Sequence, residues 1–129
     1  VHVSCRDRNL LGLRQQVIGA AALGAAGVLV VRGDRKEGMV DSRISVVDVL
    51  ADIPDWALPQ ELLRGAVVNP FADRPRELRL LARKVGAGID FLQTQMIFDL
   101  DAFDSFLEDA RDVRPPGGGG FCQRGGHPL

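Results

Sequence analysis

The sequence is poor in the residues that mark secreted, metal-binding and membrane proteins. It has two cysteines, Cys5 and Cys122, so it can form at most one disulfide, and their spacing matches no zinc site. We therefore expect no bound metal, an inert buried thiol at Cys5 and a reduced, cytoplasmic setting. No apolar run approaches the roughly 18 residues of a transmembrane helix, and residues 1–10 lack the pattern of a signal peptide. We expect no membrane partner.

Neither sign of charge dominates the sequence. Sixteen basic residues stand against seventeen acidic ones, which gives a net charge of −1. This balance argues against nucleic acid as a partner, because a polyanion attracts proteins with an excess of basic residues. The 129 residues are 46% hydrophobic, which is enough for one globular domain with a core of its own.

Short apolar runs alternate along the chain with segments of helical periodicity. Residues 27–31, Gly-Val-Leu-Val-Val, form a continuous run that is typical of a strand buried on both faces. Leu10, Leu13 and Val17 have helical spacing. Such alternation predicts parallel strands joined by helical crossovers. The predicted strands are residues 1–5, 27–31, 66–70 and 89–95, and the predicted helices are residues 10–23, 45–51, 74–86 and 99–111.

Two architectures alternate strands and helices in this way, an open doubly wound sheet and a (β/α)8 barrel. An open sheet often carries a glycine-rich phosphate-binding motif after its first strand, and no such motif follows any strand here. Barrel enzymes instead build their sites from several strand ends around one rim. We therefore predict an α/β protein that forms a partial (β/α)8 TIM barrel of about four βα units with parallel strands. Polar residues lie at the carboxyl end of all four predicted strands, namely Ser4, Arg6, Arg32, Asp34, Asn69, Thr94 and Gln95.

The last part of the sequence differs from the rest. Residues 113–129 are dominated by glycine and proline without periodicity, so we expect a disordered tail after a barrel domain at residues 1–112. A natural linker and a shifted reading frame both explain a tail that begins where another strand is needed. Because residues 1–5 already form a predicted strand, we interpret the sequence as a piece of a longer protein.

Arg32, Gly33 and Asp34 spell the tripeptide of cell-adhesion ligands. An adhesion ligand lies in an exposed extracellular turn, whereas this tripeptide directly follows an apolar strand and no signal peptide precedes it. We therefore interpret the tripeptide as a strand-end loop of an enzyme site.

Three segments together resemble the methylenetetrahydrofolate reductase family: His-Val-Ser-Cys-Arg-Asp-Arg-Asn at residues 2–9, Val-Leu-Val-Val-Arg-Gly-Asp at residues 28–34, and residues 83–99. The resemblance extends over about residues 1–111 and corresponds to the third to sixth units of the family's barrel. It implies a FAD-containing enzyme of one-carbon metabolism and methionine biosynthesis. Such an enzyme reduces 5,10-methylenetetrahydrofolate to 5-methyltetrahydrofolate with NAD(P)H.

The resemblance also assigns roles to individual residues. Asp34 is implied as a catalytic group, because a carboxylate near the flavin tunes its potential and stabilises positive charge on the folate. Gln95 is implied in substrate binding, since its amide offers a donor and acceptors to a pterin. Gly33 is expected to let the backbone approach the flat cofactor. The cofactor-binding residues implied by the resemblance are His2, Val31, Arg32, Gly33, Asp34, Asn69, Glu77, Arg83 and Lys84.

Simpler interpretations of these residues exist. Arg83 and Lys84 are also typical of a solvated helix face, and His2 of a core histidine. The family's acidic residue near the end of its first strand is missing, because this sequence begins at the third strand. The alternatives are therefore a non-catalytic flavin-binding or interaction fragment, or a different barrel enzyme with a phosphate-bearing ligand. Unpaired strand edges favour a homo-oligomer.

Overall fold

The chain alternates strands and helices throughout the described region. The computed structural model describes residues 1–6, 8–33, 37 and 44–115. The strands are β1 (His2–Ser4), β2 (Gly27–Val31), β3 (Leu63–Val68) and β4 (Phe91–Thr94), and the helices are α1 (Leu10–Ala22), α2 (Val46–Asp52), α3 (Arg74–Gly86) and α4 (Leu100–Arg111), with a short 3-10 helix at Ile53–Asp55.

The four strands form one parallel sheet in the order β1-β2-β3-β4. Each strand pairs with the next strand along the chain, and a helical segment connects them, which is the arrangement of successive units in a (β/α)8 barrel. The predicted fold class, an α/β partial TIM barrel of four βα units, is confirmed. All strands point the same way, so their carboxyl ends lie on one rim.

The starts of β3 and β4 differ from the prediction by two residues or more. β3 begins at Leu63 rather than Ala66, because Leu63 and Arg64 pair with the start of β2 although Arg and Gly are weak strand formers. β4 covers only Phe91–Thr94 of the predicted 89–95. Its start is fixed instead by Asp90, whose amide donates to the carbonyl of Arg64 and whose carboxylate accepts from the Arg64 amide.

Side-chain caps fix where the helices begin. In each case an oxygen accepts a hydrogen bond from the backbone three residues later, which satisfies an amide that has no partner within the helix. The capping residues are Asn9, Ser45, Asp73 and Asp99.

The core lies between the sheet and the helices on one of its faces. Val3, Val30 and Ala66 form one row across β1, β2 and β3, and all three are fully buried. The helices cover this row with the buried residues Leu13, Val17, Val49, Leu50, Leu81 and Phe106. No helix in the described ranges combines the length and apolarity needed to cross a bilayer.

The opposite sheet face carries a row formed by His2, Leu29, Gly65 and Phe91. The Phe91 ring lies over Gly65, where a Cβ would overlap its atoms, and it reaches towards Gly27. A large side chain on one strand therefore fills the space left by glycine on the next. This is the large-against-small packing expected of a barrel interior.

Candidate functional site

A cavity of about 400 Å³ lies at the carboxyl ends of β2 and β3. Of the ten residues implied as site residues, it brings seven together, and His2 and Arg83 are absent from the described lining. Asp34 lies outside the described residues. The cavity is lined by Val30, Val31, Arg32, Gly33, Val46, Val67, Asn69, Glu77, Lys84 and Gln95.

Backbone hydrogen bonds between the first two strands continue beyond the end of β1, next to this cavity. The amide of Cys5 donates to the Val31 carbonyl at 2.9 Å, and the amide of Arg6 donates to the Arg32 carbonyl at 3.0 Å. β1 and β2 therefore remain in register for two residues beyond the last residue of β1. The Arg32 side chain is exposed and lines the cavity from this fixed backbone.

Gly33 follows in a conformation that favours glycine. Its φ is +86°, and a Cβ at this position would overlap Oγ of Ser4. The expected reason for this glycine was close approach to a flat cofactor. The structure gives two reasons within the chain, the left-handed backbone and the neighbouring hydroxyl group.

Glu77 on α3 holds the turn that follows β3. Its Oε1 accepts from the backbone amide of Asn69 at 2.7 Å, and Glu77 is the one charged residue in the described ranges that counts as buried. The Oδ1 of Asn69 in turn accepts from the amide of Phe71 at 3.0 Å. Two side chains implied as cofactor ligands thus also shape the loop.

Lys84 reaches the cavity from the last turn of α3. Its Nζ donates to the Val67 carbonyl at 2.5 Å. Burial lowers the pKa of Lys84 from its usual value, while the negative charge of Glu77 acts in the opposite direction. The solvated-helix interpretation therefore does not describe Lys84. Arg83 is exposed and is not in the lining, because consecutive helix residues point about 100° apart.

The remaining implied residues differ in position. The backbone amide of Gln95 donates to the Val68 carbonyl at 3.2 Å. Gln95 is exposed and lines the cavity from the end of β4. His2 is exposed at the start of β1, opposite Leu29, and is not in the lining. Val46 lines the cavity without having been expected there. Its position directly after the Ser45 cap was the available signal, since a helix start faces the strand ends.

A second cavity, of about 430 Å³, lies at the opposite end of the sheet and includes Trp56, Arg64 and Asp90. The guanidinium Nη1 of Arg64 donates to the carbonyls of Leu50 at 2.9 Å and Ala87 at 3.2 Å. This group ties the end of α2 to the residue after α3. Since the amino-terminal face of a barrel serves stability and its carboxyl-terminal face holds ligands, we assign the functional site to the first cavity.

The parallel strands, crossover helices and polar rim cavity define part of an α/β barrel. Residues 66–115 match the family model described as methylenetetrahydrofolate reductase, from within β3 to just beyond α4. This match shows that residues 66–115 are similar to the methylenetetrahydrofolate reductase family. No curated protein matches the chain. The family match indicates an oxidoreductase of one-carbon metabolism that acts on folate, in a family that is generally flavin-dependent.

The family match and the cavity overlap in part. Asn69, Glu77, Lys84 and Gln95 lie inside the matched residues, whereas Arg32 and the rest of its loop precede them. The cavity is lined by the guanidinium group of Arg32 and the ammonium group of Lys84. Gly33, next to Arg32, adds no side chain that would narrow the cavity. Two cationic donors suit a ligand with two phosphates, so the residues present fit a dinucleotide.

Proposed function

We propose that this chain binds FAD at the rim cavity and forms part of an enzyme that reduces 5,10-methylenetetrahydrofolate to 5-methyltetrahydrofolate with NAD(P)H. One observation carries the proposal: seven residues implied by the resemblance, from β2, β3, α3 and the end of β4, line the same cavity. The cytoplasm is the proposed setting, which the burial of the Cys5 thiol supports.

Two cationic side chains hold the cofactor in this proposal. Arg32 gives charge-assisted hydrogen bonds to the FAD phosphates through its planar guanidinium group. Lys84 adds a point charge at the other side of the cavity. A phosphate beside Lys84 stabilises its protonated form and so raises the pKa that burial has lowered. Exposed Arg83 is proposed to meet polar groups at the rim, and His2 to lie near the flavin.

The proposed roles of the other residues follow from their hydrogen-bonding groups. Gln95 presents its amide to the pterin of the folate, which has both donors and acceptors on one edge. Asp34 stabilises positive charge on the folate, and Asn69 and Glu77 contact the cofactor while holding the turn between β3 and α3. FAD held by these residues would, once reduced by NAD(P)H, supply the hydride for the reduction of the folate.

A titration of the chain with FAD, followed by flavin fluorescence, tests this proposal. Arg32→Ala and Lys84→Met each remove one cation, so we expect each to weaken binding by about tenfold or more. Arg79→Ala is the matched control, because Arg79 is an exposed cation on α3 outside the cavity lining. Failure of the folded chain to bind FAD, or equal weakening by Arg79→Ala, contradicts the proposal.

The second candidate is a fragment that binds flavin without catalysis. It is favoured by the extent of the family match, which covers residues 66–115 alone. The two candidates differ in one assay, the oxidation of NAD(P)H by the FAD-loaded chain with methylenetetrahydrofolate present. Turnover that Gln95→Ala lowers supports the reductase, whereas saturable FAD binding without turnover supports the fragment.

A further inference from the structure

Residues at the end of β1 donate hydrogen bonds to the loop after β2 from their side chains as well as from their backbone. Oγ of Ser4 donates to the carbonyl of Arg32 at 3.3 Å, and Nε of Arg6 donates to the carbonyl of Gly33 at 3.1 Å. A Cβ built on Gly33 would also lie 3.3 Å from the Cβ of Arg6. Two side chains, one at the end of β1 and one just beyond it, thus donate to two consecutive carbonyl groups of the loop after β2.

We propose that Ser4 and Arg6 are positioning residues that fix the direction of the Arg32 side chain in the cofactor site. This inference rests on the proposed FAD function. A hydrogen bond to each carbonyl orients the peptide planes on both sides of Gly33. The plane between Arg32 and Gly33 helps to determine where the Arg32 side chain leaves the backbone.

The backbone freedom of Gly33 is the reason that the loop needs these hydrogen bonds. Gly33 adopts φ +86°, and glycine has more backbone freedom than any other residue. The Arg32 side chain is exposed, so packing does little to orient it. A phosphate-binding arginine beside a flexible residue loses affinity to the entropy of ordering, and a preformed loop avoids that loss.

A double-mutant cycle tests the proposal in the full chain. Ser4→Ala removes the donor to the Arg32 carbonyl, and Arg6→Lys keeps the charge but loses the planar Nε–H donor. We expect each to weaken FAD binding about three- to tenfold in the wild-type chain, with the unfolding midpoint nearly unchanged. In the Arg32→Ala background, both should have little further effect, because the side chain that they position is gone.

Several outcomes overturn the proposal. Additive losses in the Arg32→Ala background show that Ser4 or Arg6 acts on its own, and unchanged FAD affinity shows that neither matters. Arg8→Ala is the matched control, as an exposed arginine two residues further along the chain, and equal weakening by it also counts against the proposal. If the wild-type chain binds no FAD, the proposed FAD function and the positioning role both fail. If FAD binds but the double-mutant cycle is additive, only the positioning role fails.

Backbone dynamics give a readout that needs no cofactor. We expect the Gly33 amide to be rigid on the picosecond-to-nanosecond timescale in the wild-type chain and mobile in Ser4→Ala and Arg6→Lys. The Gly24 amide is an internal reference, since it belongs to a left-handed glycine with no atom within 4 Å of its Cβ position. Equal order parameters for Gly33 in all three chains contradict the positioning role.

Discussion

The hydroxyl oxygen of Ser4 occupies the space that a side chain at Gly33 would need. This contact joins the end of β1 to the first loop of the rim cavity. Because Gly33 also has a φ of +86°, steric overlap and backbone strain act against any other residue there. The middle residue of the Arg-Gly-Asp tripeptide is thus required by the fold.

Alanine substitutions at Gly33 and at a second glycine, Gly24, separate steric overlap from backbone strain. Gly33→Ala should lower the free energy of unfolding by about 2–4 kcal/mol, from left-handed strain and overlap with Ser4 together. Gly24 has φ +90° but open space around its Cβ position, so Gly24→Ala should cost only about 1–2 kcal/mol. Urea unfolding of both variants measures the difference. Equal losses would show that the Ser4 contact yields without cost.

The packing of Phe91 over Gly65 makes a second prediction. A methyl group at Gly65 overlaps the Phe91 ring, so Gly65→Ala should destabilise the chain by about 1–3 kcal/mol. The same change in the Phe91→Ala background should cost much less, because the ring is absent. Gly19→Ala is the control, since its Cβ position in α1 is open and alanine favours a helix by about 1 kcal/mol over glycine. Thermal unfolding of the four variants tests whether the coupling exists.

The fold was predictable because local patterns and tertiary structure agree along most of the chain. The valine run of β2 and the helix α3 have the same positions in sequence and structure. The start of β3 was not predictable, since Leu63, Arg64 and Gly65 resemble a turn. Their extended conformation comes from pairing with β2, a long-range contact that no local pattern encodes.

The site residues that lie directly after strands could be predicted from the sequence. Arg32, Asn69 and Gln95 are polar residues after strands, and all three line the cavity. Helix periodicity does not say which turn of α3 faces the rim, so Lys84 could be selected only through the family resemblance. The side-chain contacts of Ser4 and Arg6 depend on the register between β1 and β2, which the sequence does not reveal.

Arg64 should serve stability without affecting the rim. Arg64→Met removes the hydrogen bonds from Nη1 to the carbonyls of Leu50 and Ala87, with an expected cost of about 1–3 kcal/mol in the free energy of unfolding. FAD affinity should remain unchanged, since these contacts lie at the other end of the sheet. Arg79→Met, at an exposed position of α3, should change stability by no more than about 0.5 kcal/mol. A weaker FAD complex in folded Arg64→Met would contradict this separation of the two ends.

Burial raises the pKa of the Cys5 thiol from 9.0 to about 11. The folded state therefore holds this proton more tightly than the unfolded state does. The resulting stabilisation is fully present below pH 9 and is lost as the pH rises through 11. Between pH 8 and 11, the chain with Cys5 should lose roughly 2 kcal/mol more of its free energy of unfolding than the Cys5→Ala chain.

Both chains in this comparison carry Cys122→Ser, so that Cys5 is the one thiol that differs. Chemical unfolding at each pH gives the two free energies. The raised pKa also predicts a thiolate fraction at pH 8 that is about 100-fold smaller than in the unfolded chain, so thiol reagents should label folded Cys5 slowly. Parallel pH profiles for the two chains, or rapid labelling of the folded chain, would show that Cys5 is accessible to solvent.

The outer edge of β4 should drive self-association of the chain. β4 pairs with β3 on one side, and Met96, Phe98 and Leu100 just beyond it are 74%, 84% and 73% exposed. Exposed apolar side chains beside an unpaired strand edge favour pairing with another copy. We expect sedimentation velocity to show oligomers that increase with protein concentration, and Met96→Asp with Phe98→Asp to shift the chain towards monomer. Leu23→Asp, at a 92% exposed position after α1, should leave the distribution unchanged. A wild-type chain that stays monomeric at every concentration would show that this edge does not mediate assembly.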